Sequence, residues 1–318
     1  MNKVYQVGII GLGVVGERLL KQFVDHPRYE VVGYCEPNQT RLQEINEKYG
    51  EVTTYPSHQE LLKNDEIDLV YLAVPPKFHH EIALNIIAHN KHILCEKPLA
   101  NNINEAKEMY DSAENAGVVH AMNFPLPYQE AYFKMEQLLD EKALGELQRI
   151  EFNMHFPTWP RAWQQNSWIA TREQGGFIRE IGPHYLHLIS RLIGQPSYIA
   201  SHVDYPLDER ASELGVMARL LVNEQIPFLF NGLSEIGQKE HMSLKILGEK
   251  AVLELRNWRV LYLRDRENDQ SKVELTHLES LNLLDELAKK LDGEDAHLVS
   301  FEEGYQVQKV LEAILASK

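Results

Sequence analysis

Over the first 122 residues, short apolar runs alternate with stretches of helical periodicity. Residues 4–10, 30–35, 69–74, 93–95 and 118–122 are apolar nearly throughout, as strands buried on both faces are. The spacing between them predicts helices. Leu42 and Ile45 share one face of residues 39–49, and Ile82, Ile86 and Ile87 lie within 81–89. Ser57 and Glu60 have capping-box spacing ahead of Leu61-Leu62. Gly117 stops the helical pattern over 104–116. Such strand–helix–strand repetition predicts a doubly wound parallel sheet covered by helices on both faces.

The pattern changes after residue 122. A helical segment runs to Leu139, and residues 148–156 then alternate, with polar neighbours separating Ile150, Phe152, Met154 and Phe156. Similar runs recur at 197–203, 217–222, 228–234, 242–247, 251–255 and 260–263. Many strands without intervening helices predict an open, mainly antiparallel sheet. Ser300 and Glu303 cap a last helix that carries Val307, Val310, Leu311 and Ile314. The expected fold class is α/β, with one domain over residues 1–122 and a second over 123–318. The length of 318 residues agrees with two domains.

Composition narrows the function. Hydrophobic residues make up 44% and charged residues 25%, ordinary for a globular chain. The net charge of −15 repels a phosphate backbone, so no nucleic-acid partner is expected. Cys35 and Cys95 lie inside apolar runs and imply no disulfide framework. No apolar stretch reaches the length of a membrane helix. Residues 7–16 imitate a signal-peptide core, but glycines punctuate them and Glu17-Arg18 follows where a cleavage site needs small residues. The expected compartment is the cytoplasm.

The first strand runs directly into Gly11-Leu12-Gly13-Val14-Val15-Gly16, and a helical pattern follows. This is the dinucleotide fingerprint in its proper context. Gly11 permits the tight turn, Gly13 lets the backbone approach a pyrophosphate, and Gly16 lets helix and strand pack closely. The helix start offers free N–H groups to phosphates. Glu36 ends the second strand, twenty positions beyond Gly16, where a carboxylate accepts from ribose hydroxyls and repels a 2′-phosphate. A Rossmann domain binding a nicotinamide dinucleotide is expected, with NAD favoured over NADP. Flavin would need further binding segments that are not evident here.

Two later segments specify the kind of dinucleotide protein. Glu96-Lys97-Pro98 follows a strand, and Gly175-Gly176-Phe177-Ile178-Arg179-Glu180-Ile181-Gly182-Pro183-His184 lies in the second half. Together with the amino-terminal glycines, these make the chain resemble the Gfo/Idh/MocA oxidoreductases over nearly its whole length. Ala73-Val74-Pro75 with His79 resembles that family's nucleotide-side loop, and Gly248-Glu249-Lys250-Ala251 its late glycine turn. The resemblance implies a Rossmann domain followed by a substrate-binding α/β domain whose open sheet joins subunits into a homodimer or homotetramer. It implies a sugar, cyclitol or related polyol or ketone as substrate. It places Leu12, Val14, Val15, Val74, Pro75, His79, Glu96 and Lys97 with the glycines and Glu36 around the cofactor. It makes Lys97 the residue that orients the substrate oxygen, His184 the general acid/base and Glu180 its partner. The chemistry agrees. A proton must leave or reach the carbinol oxygen when hydride moves, and histidine carries protons near neutral pH. An ammonium stabilises a developing alkoxide, and Pro98 helps hold the turn that aims Lys97.

Glu180, His184, His187 and Arg191 are spaced as a polar stripe on one helix, opposite Ile181, Tyr185 and Leu188. Periodicity alone allows that stripe to face solvent. Pro183 suits only a first helical turn, which leaves open whether Glu180 precedes the regular helix. The chain also departs from the family pattern. His187 stands where many members have Asp, Glu180 where many have Asp, and Asn123-Phe124-Pro125-Leu126-Pro127 lacks an Arg common before an aromatic–x–Pro sequence. No metal is expected. Glu180, His184, His187 and His155 are capable ligands, but nothing in the spacing makes them converge. Trp159, Trp163 and Trp168 either wall a sugar site or pack a loop on the sheet. The principal expectation is a hydride-transferring dehydrogenase or reductase whose substrate meets the nicotinamide between the domains. The alternative is a dinucleotide-sensing regulator that kept the fold and lost the chemistry. Transient oxidation driving elimination or hydrolysis is a third option that no residue selects.

Overall fold

The computed structural model describes residues 3–164, 166–267, 271–275 and 280–316. They form two compact units. The first contains residues 1–124 and 282–305, and the second residues 125–281 and 306–318.

The first unit contains β1 (Tyr5–Ile10), α1 (Val14–Asp25), β2 (Tyr29–Cys35), α2 (Gln39–Tyr49), β3 (Thr53–Tyr55), α3 (His58–Leu62), β4 (Leu69–Leu72), α4 (His79–Ala88), β5 (His92–Cys95), α5 (Ile103–Ala116) and β6 (His120–Met122). The strands are parallel, in the order β3-β2-β1-β4-β5-β6. The chain winds outward from β1 to β3 and then returns to the other side, so the sheet's switch point lies between β1 and β4. Strands buried on both faces explain the unbroken apolar runs, with β4 enclosed throughout. Local capping follows the sequence pattern. The Ser57 hydroxyl accepts the Glu60 N–H at 3.3 Å, and Gly117 ends α5 in the left-handed region at φ 65°.

The second unit contains α6 (Glu130–Asp140), β7 (Leu147–His155), α7 (Phe177–Leu192), β8 (Pro196–Asp204), β9 (Gly215–Val222), β10 (Ile226–Leu233), β11 (His241–Gly248), β12 (Ala251–Arg256), β13 (Val260–Asp265) and β14 (Ser271–Lys272). Its eight strands run in the order β14-β13-β12-β11-β7-β10-β9-β8, antiparallel except for β7 with β10. Alternation sorts the residues. Ile150, Phe152 and Met154 are fully buried, and the Tyr185 ring of α7 stacks on Phe152 with centroids 4.0 Å apart. The other face of the sheet exposes Met217, Leu229 and Leu233. Two helices follow, α8 (Leu283–Leu291) and α9 (Phe301–Leu315). Among the described residues no helix is long and apolar enough to cross a membrane.

Long-range contacts place α8 and the start of α9 with the first unit, so the division is not a single cut near residue 123. The Tyr29 hydroxyl donates to the Leu284 carbonyl at 2.8 Å, and Arg28 forks onto Asp292 at 2.8 Å to both oxygens. The Met122 N–H donates to the Val299 carbonyl at 2.8 Å, and Val299 and Phe301 are fully buried in the first core. Truncating Phe301→Ala should therefore cost about 3–5 kcal/mol. Urea denaturation checks this, and an unchanged midpoint would show that the segment is dispensable to that core.

Candidate active site

The loops that leave β1, β2, β4, β5 and β6 gather at the carboxyl edge of the parallel sheet, where open α/β sheets hold ligands. Gly11 has φ +93°, and a Cβ built there would lie 2.5 Å from the Ala73 carbonyl oxygen. A Cβ at residue 16 would lie 2.2 Å from the Gly11 carbonyl oxygen. Backbone occupies both places, so no other residue fits. Gly13 is different, because nothing lies within 4 Å of its built Cβ. Helix α1 begins behind it with no side-chain cap, and Val14 and Val15 are 55% and 41% exposed. The N–H groups of the first turn thus open onto space that no side chain fills. That arrangement fits a diphosphate, which needs those donors, the positive dipole end and close backbone approach.

The Leu12 peptide is held from both sides. Its N–H donates to Glu36 Oε2 at 2.9 Å, and its carbonyl accepts from Arg41 Nε at 2.7 Å. Glu36 also accepts the Asn38 N–H at 3.0 Å, which fixes a carboxylate beside the glycine turn where a ribose hydroxyl would donate. Arg41 pairs in turn with Glu17 and Glu44. Lys48, Arg41 and Tyr49 all donate to Glu17 and hold its carboxyl down at about 2. Arg41 had no distinguishing signal in the sequence, since a cation in the first turns of an exposed helix is commonplace.

Two buried groups brace the next loops. His79 is fully buried, with Nε2 2.8 Å from the Val74 carbonyl and Nδ1 2.9 Å from the Pro98 carbonyl. Burial pushes its pKa down, and a neutral ring has one N–H to share between those oxygens. The ring packs between the Val74-Pro75 and Lys97-Pro98 turns and donates to one of their carbonyls at a time. Glu96 is 7% exposed and accepts from the Tyr71 hydroxyl and Asn123 Nδ2, each at 2.6 Å. Burial pushes its carboxyl up. It ties β5 to β4 and β6 directly behind Lys97, which is half-buried. Tyr71 and Asn123 are contributors that motif reading passed over, because their partnership with Glu96 crosses three strands.

In the second unit, α7 runs from Phe177 to Leu192 straight through Pro183. Glu180 therefore lies inside the helix, in its first turn. The polar stripe is not a solvated face. His184 is 7% and His187 1% exposed, and the His184 ring meets the Trp258 ring edge-on with centroids 5.0 Å apart. His155 is separated from this group by the sheet itself. It alternates with Met154 on β7 and faces His241 across the strand pair, on the side opposite α7. Among the described residues no group of three His, Cys, Asp or Glu side chains could hold a metal ion. The tryptophans divide. Trp159 packs against Phe156 and Phe177 and donates its indole N–H to the Ile169 carbonyl at 3.3 Å, whereas Trp163 is 56% exposed. The Arg161 guanidinium lies over both indoles and Phe156.

Comparison with known proteins agrees with this architecture. The Gfo/Idh/MocA description "Oxidoreductase family, NAD-binding Rossmann fold" matches residues 5–124. Its companion, "Oxidoreductase family, C-terminal alpha/beta domain", matches residues 136–318. The chain belongs to this family. It is 28% identical over 200 residues to a D-glucoside 3-dehydrogenase of Escherichia coli, covering 60% of this chain and 55% of that one. It is 25% identical over 226 residues to a levoglucosan dehydrogenase of Pseudarthrobacter phenanthrenivorans, covering 66% and 56%. The chain thus spans little more than half the length of these two curated relatives. A 3-ketoreductase from Actinomadura kijaniata, solved with NADP and TDP-benzene, shares the fold at a TM-score of 0.83 and 18% identity, over 98% of this chain and 97% of that one.

The glycine geometry yields a paired prediction. Gly13→Ala should keep wild-type stability, because its Cβ meets nothing, yet weaken NAD binding by about tenfold or more by filling the phosphate approach. Gly11→Ala should lose more stability than the ~1–3 kcal/mol of left-handed strain alone, because its Cβ also meets the Ala73 carbonyl oxygen at 2.5 Å. Urea unfolding and calorimetric titration with NAD check both, and tight binding by the Gly13→Ala chain would contradict the cradle.

Proposed function

We propose that this Gfo/Idh/MocA-family chain is an NAD(P)-dependent dehydrogenase or reductase acting on a sugar, cyclitol or related polyol or ketone. The observation that carries the reading is the open, uncapped start of α1 behind Gly13, flanked by the Glu36 carboxylate. The names of the dehydrogenases to which the chain is similar support the substrate class.

The glycine turn, Val14 and Val15 would hold the diphosphate, Glu36 the adenosine ribose, and the Val74-Pro75 and Lys97 turns the nicotinamide side. The bound nicotinamide would supply or accept the hydride. Lys97 orients the reacting oxygen and favours its alkoxide character electrostatically. Glu96, held by Tyr71 and Asn123, fixes the backbone from which Lys97 projects. His184 takes up or returns the hydroxyl proton, a task suited to an imidazole. Glu180, one turn earlier on α7, tunes that imidazole.

Turnover of NAD and NADP should be assayed over a panel of sugars, cyclitols and their keto forms. Lys97→Ala should abolish hydride transfer while NAD affinity stays within a few-fold of wild type; normal turnover would remove the lysine from the mechanism. Tight dinucleotide binding with no turnover of any panel member would favour the sensing regulator instead. Glu36→Ala should shift the ratio of calorimetric affinities towards NADP by removing the charge that opposes a 2′-phosphate.

A further inference from the structure

Helix α7 starts at Gly175-Gly176-Phe177 without a side-chain cap from its own segment. Its acceptor comes from 35 residues downstream, where the Glu213 carboxylate takes the Ile178 N–H at 2.7 Å. The Phe177 N–H and the backbone N–H of Glu213 itself bear on the same carboxylate. Gly176 makes room for it. The residue has φ +92°, and a Cβ there would lie 2.1 Å from Glu213 Oε2. Gly175 is equally constrained, since its Cβ would meet the Ile169 carbonyl oxygen at 2.1 Å.

Glu213 is delivered by ordered backbone. The Ser212 N–H donates to the Ala170 carbonyl at 2.9 Å, and the Leu214 N–H to the Asp204 carbonyl at 2.7 Å. The side chain is 3% exposed, and among the described residues no ion pair neutralises it. Arg179 is the cation that bears on it, Arg179 is itself 3.4 Å from Glu312, and Tyr205 lies nearby beneath the Arg172 guanidinium. Burial pushes the Glu213 carboxyl up to about 7 against the pull of the N–H donors. In either protonation state one oxygen still accepts from Ile178. Enclosing such a group is costly unless it satisfies something in return.

What it satisfies are the first-turn N–H groups of a helix that is already one bond short further along. Pro183 has no N–H to offer the Arg179 carbonyl, so the turn containing Glu180 joins the rest of α7 through a ladder one bond short. A cap at the helix start holds the first turn that this gap leaves less firmly joined.

We propose that Glu213 is a positioning residue for α7, its carboxyl oxygen fixing the first turn and, through it, the placement of Glu180 and His184. The relevance of that placement to catalysis rests on the acid/base reading given above. Amide hydrogen exchange over residues 177–184 and the NMR titration of the His184 imidazole should be compared across the full-length wild type and three variants. Glu213→Ala should accelerate exchange at Phe177 and Ile178 by about five- to tenfold and displace the His184 titration midpoint. Glu213→Gln keeps an accepting oxygen and should restore both. Glu213→Asp withdraws the oxygen by one methylene and should follow the alanine variant, which keeps the test decisive if alanine does not fold. A merely structural role would lower the melting temperature yet leave the His184 titration of the folded chain unmoved. That result, or a glutamine variant that restores neither readout, would overturn the proposal. None of these measurements needs turnover, so a failure of the redox reading would show separately, in cofactor calorimetry and the substrate panel.

Discussion

Two peptide groups at the carboxyl edge of the parallel sheet approach more closely than any Cβ would allow. The backbone at Gly11 lies against the Ala73 carbonyl, and the backbone at Gly16 lies against Gly11. This approach seats α1 over the ends of β1 and β4, at the point where the strand order reverses. The Leu12 peptide can then be gripped by Glu36 and Arg41, and the N–H groups behind Gly13 are left facing open space. From the turn after β4, His79 carries the line of contacts to Pro98, and Glu96 carries it on to Asn123 at the end of β6. A displaced helix at Gly16 would break that line at its first member.

Both units use buried polar groups in the same way. Removing a carboxyl or imidazole from water is unfavourable unless hydrogen bonds replace those it gave up. Glu96 and Glu213 recover those bonds, and His79 one of them, from the backbone or side chains of a segment next to a residue proposed for chemistry. Glu96 stands immediately before Lys97. Glu213 stands at the head of the helix that carries Glu180 and His184. Such groups add little net stability. What they add is a single geometry for the loop or helix end they hold.

Much of the first unit was legible because its strands are enclosed on both faces and read as apolar runs. The exception, β3, is an edge strand of Thr53-Thr54-Tyr55 with no buried residue, so no run marks it. The alternation of Ile150, Phe152 and Met154 likewise revealed the second sheet, since one face is packed and the other is not. In the candidate site, the glycine turn and Glu36 were readable as a spaced motif, whereas the contacts they make reach Ala73 and Leu12 from far along the chain. Periodicity left the stripe on α7 undecided between solvent and interior, and Pro183 left the start of the helix undecided.

The sequence by itself determined the two kinds of sheet, because each shows in the period of burial, and it carried the glycine motif and the later segments whose resemblance pointed to the family. Tertiary structure alone decided that His184 and His187 are enclosed, that Glu96 answers to Tyr71 and Asn123, and that Glu213 caps α7. It also decided that residues 282–305 complete the first core through partners such as Tyr29 and Arg28. These outcomes rest on contacts between residues far apart in the chain, and a hydrogen bond across 35 or 255 positions leaves no periodic trace in either partner's neighbourhood.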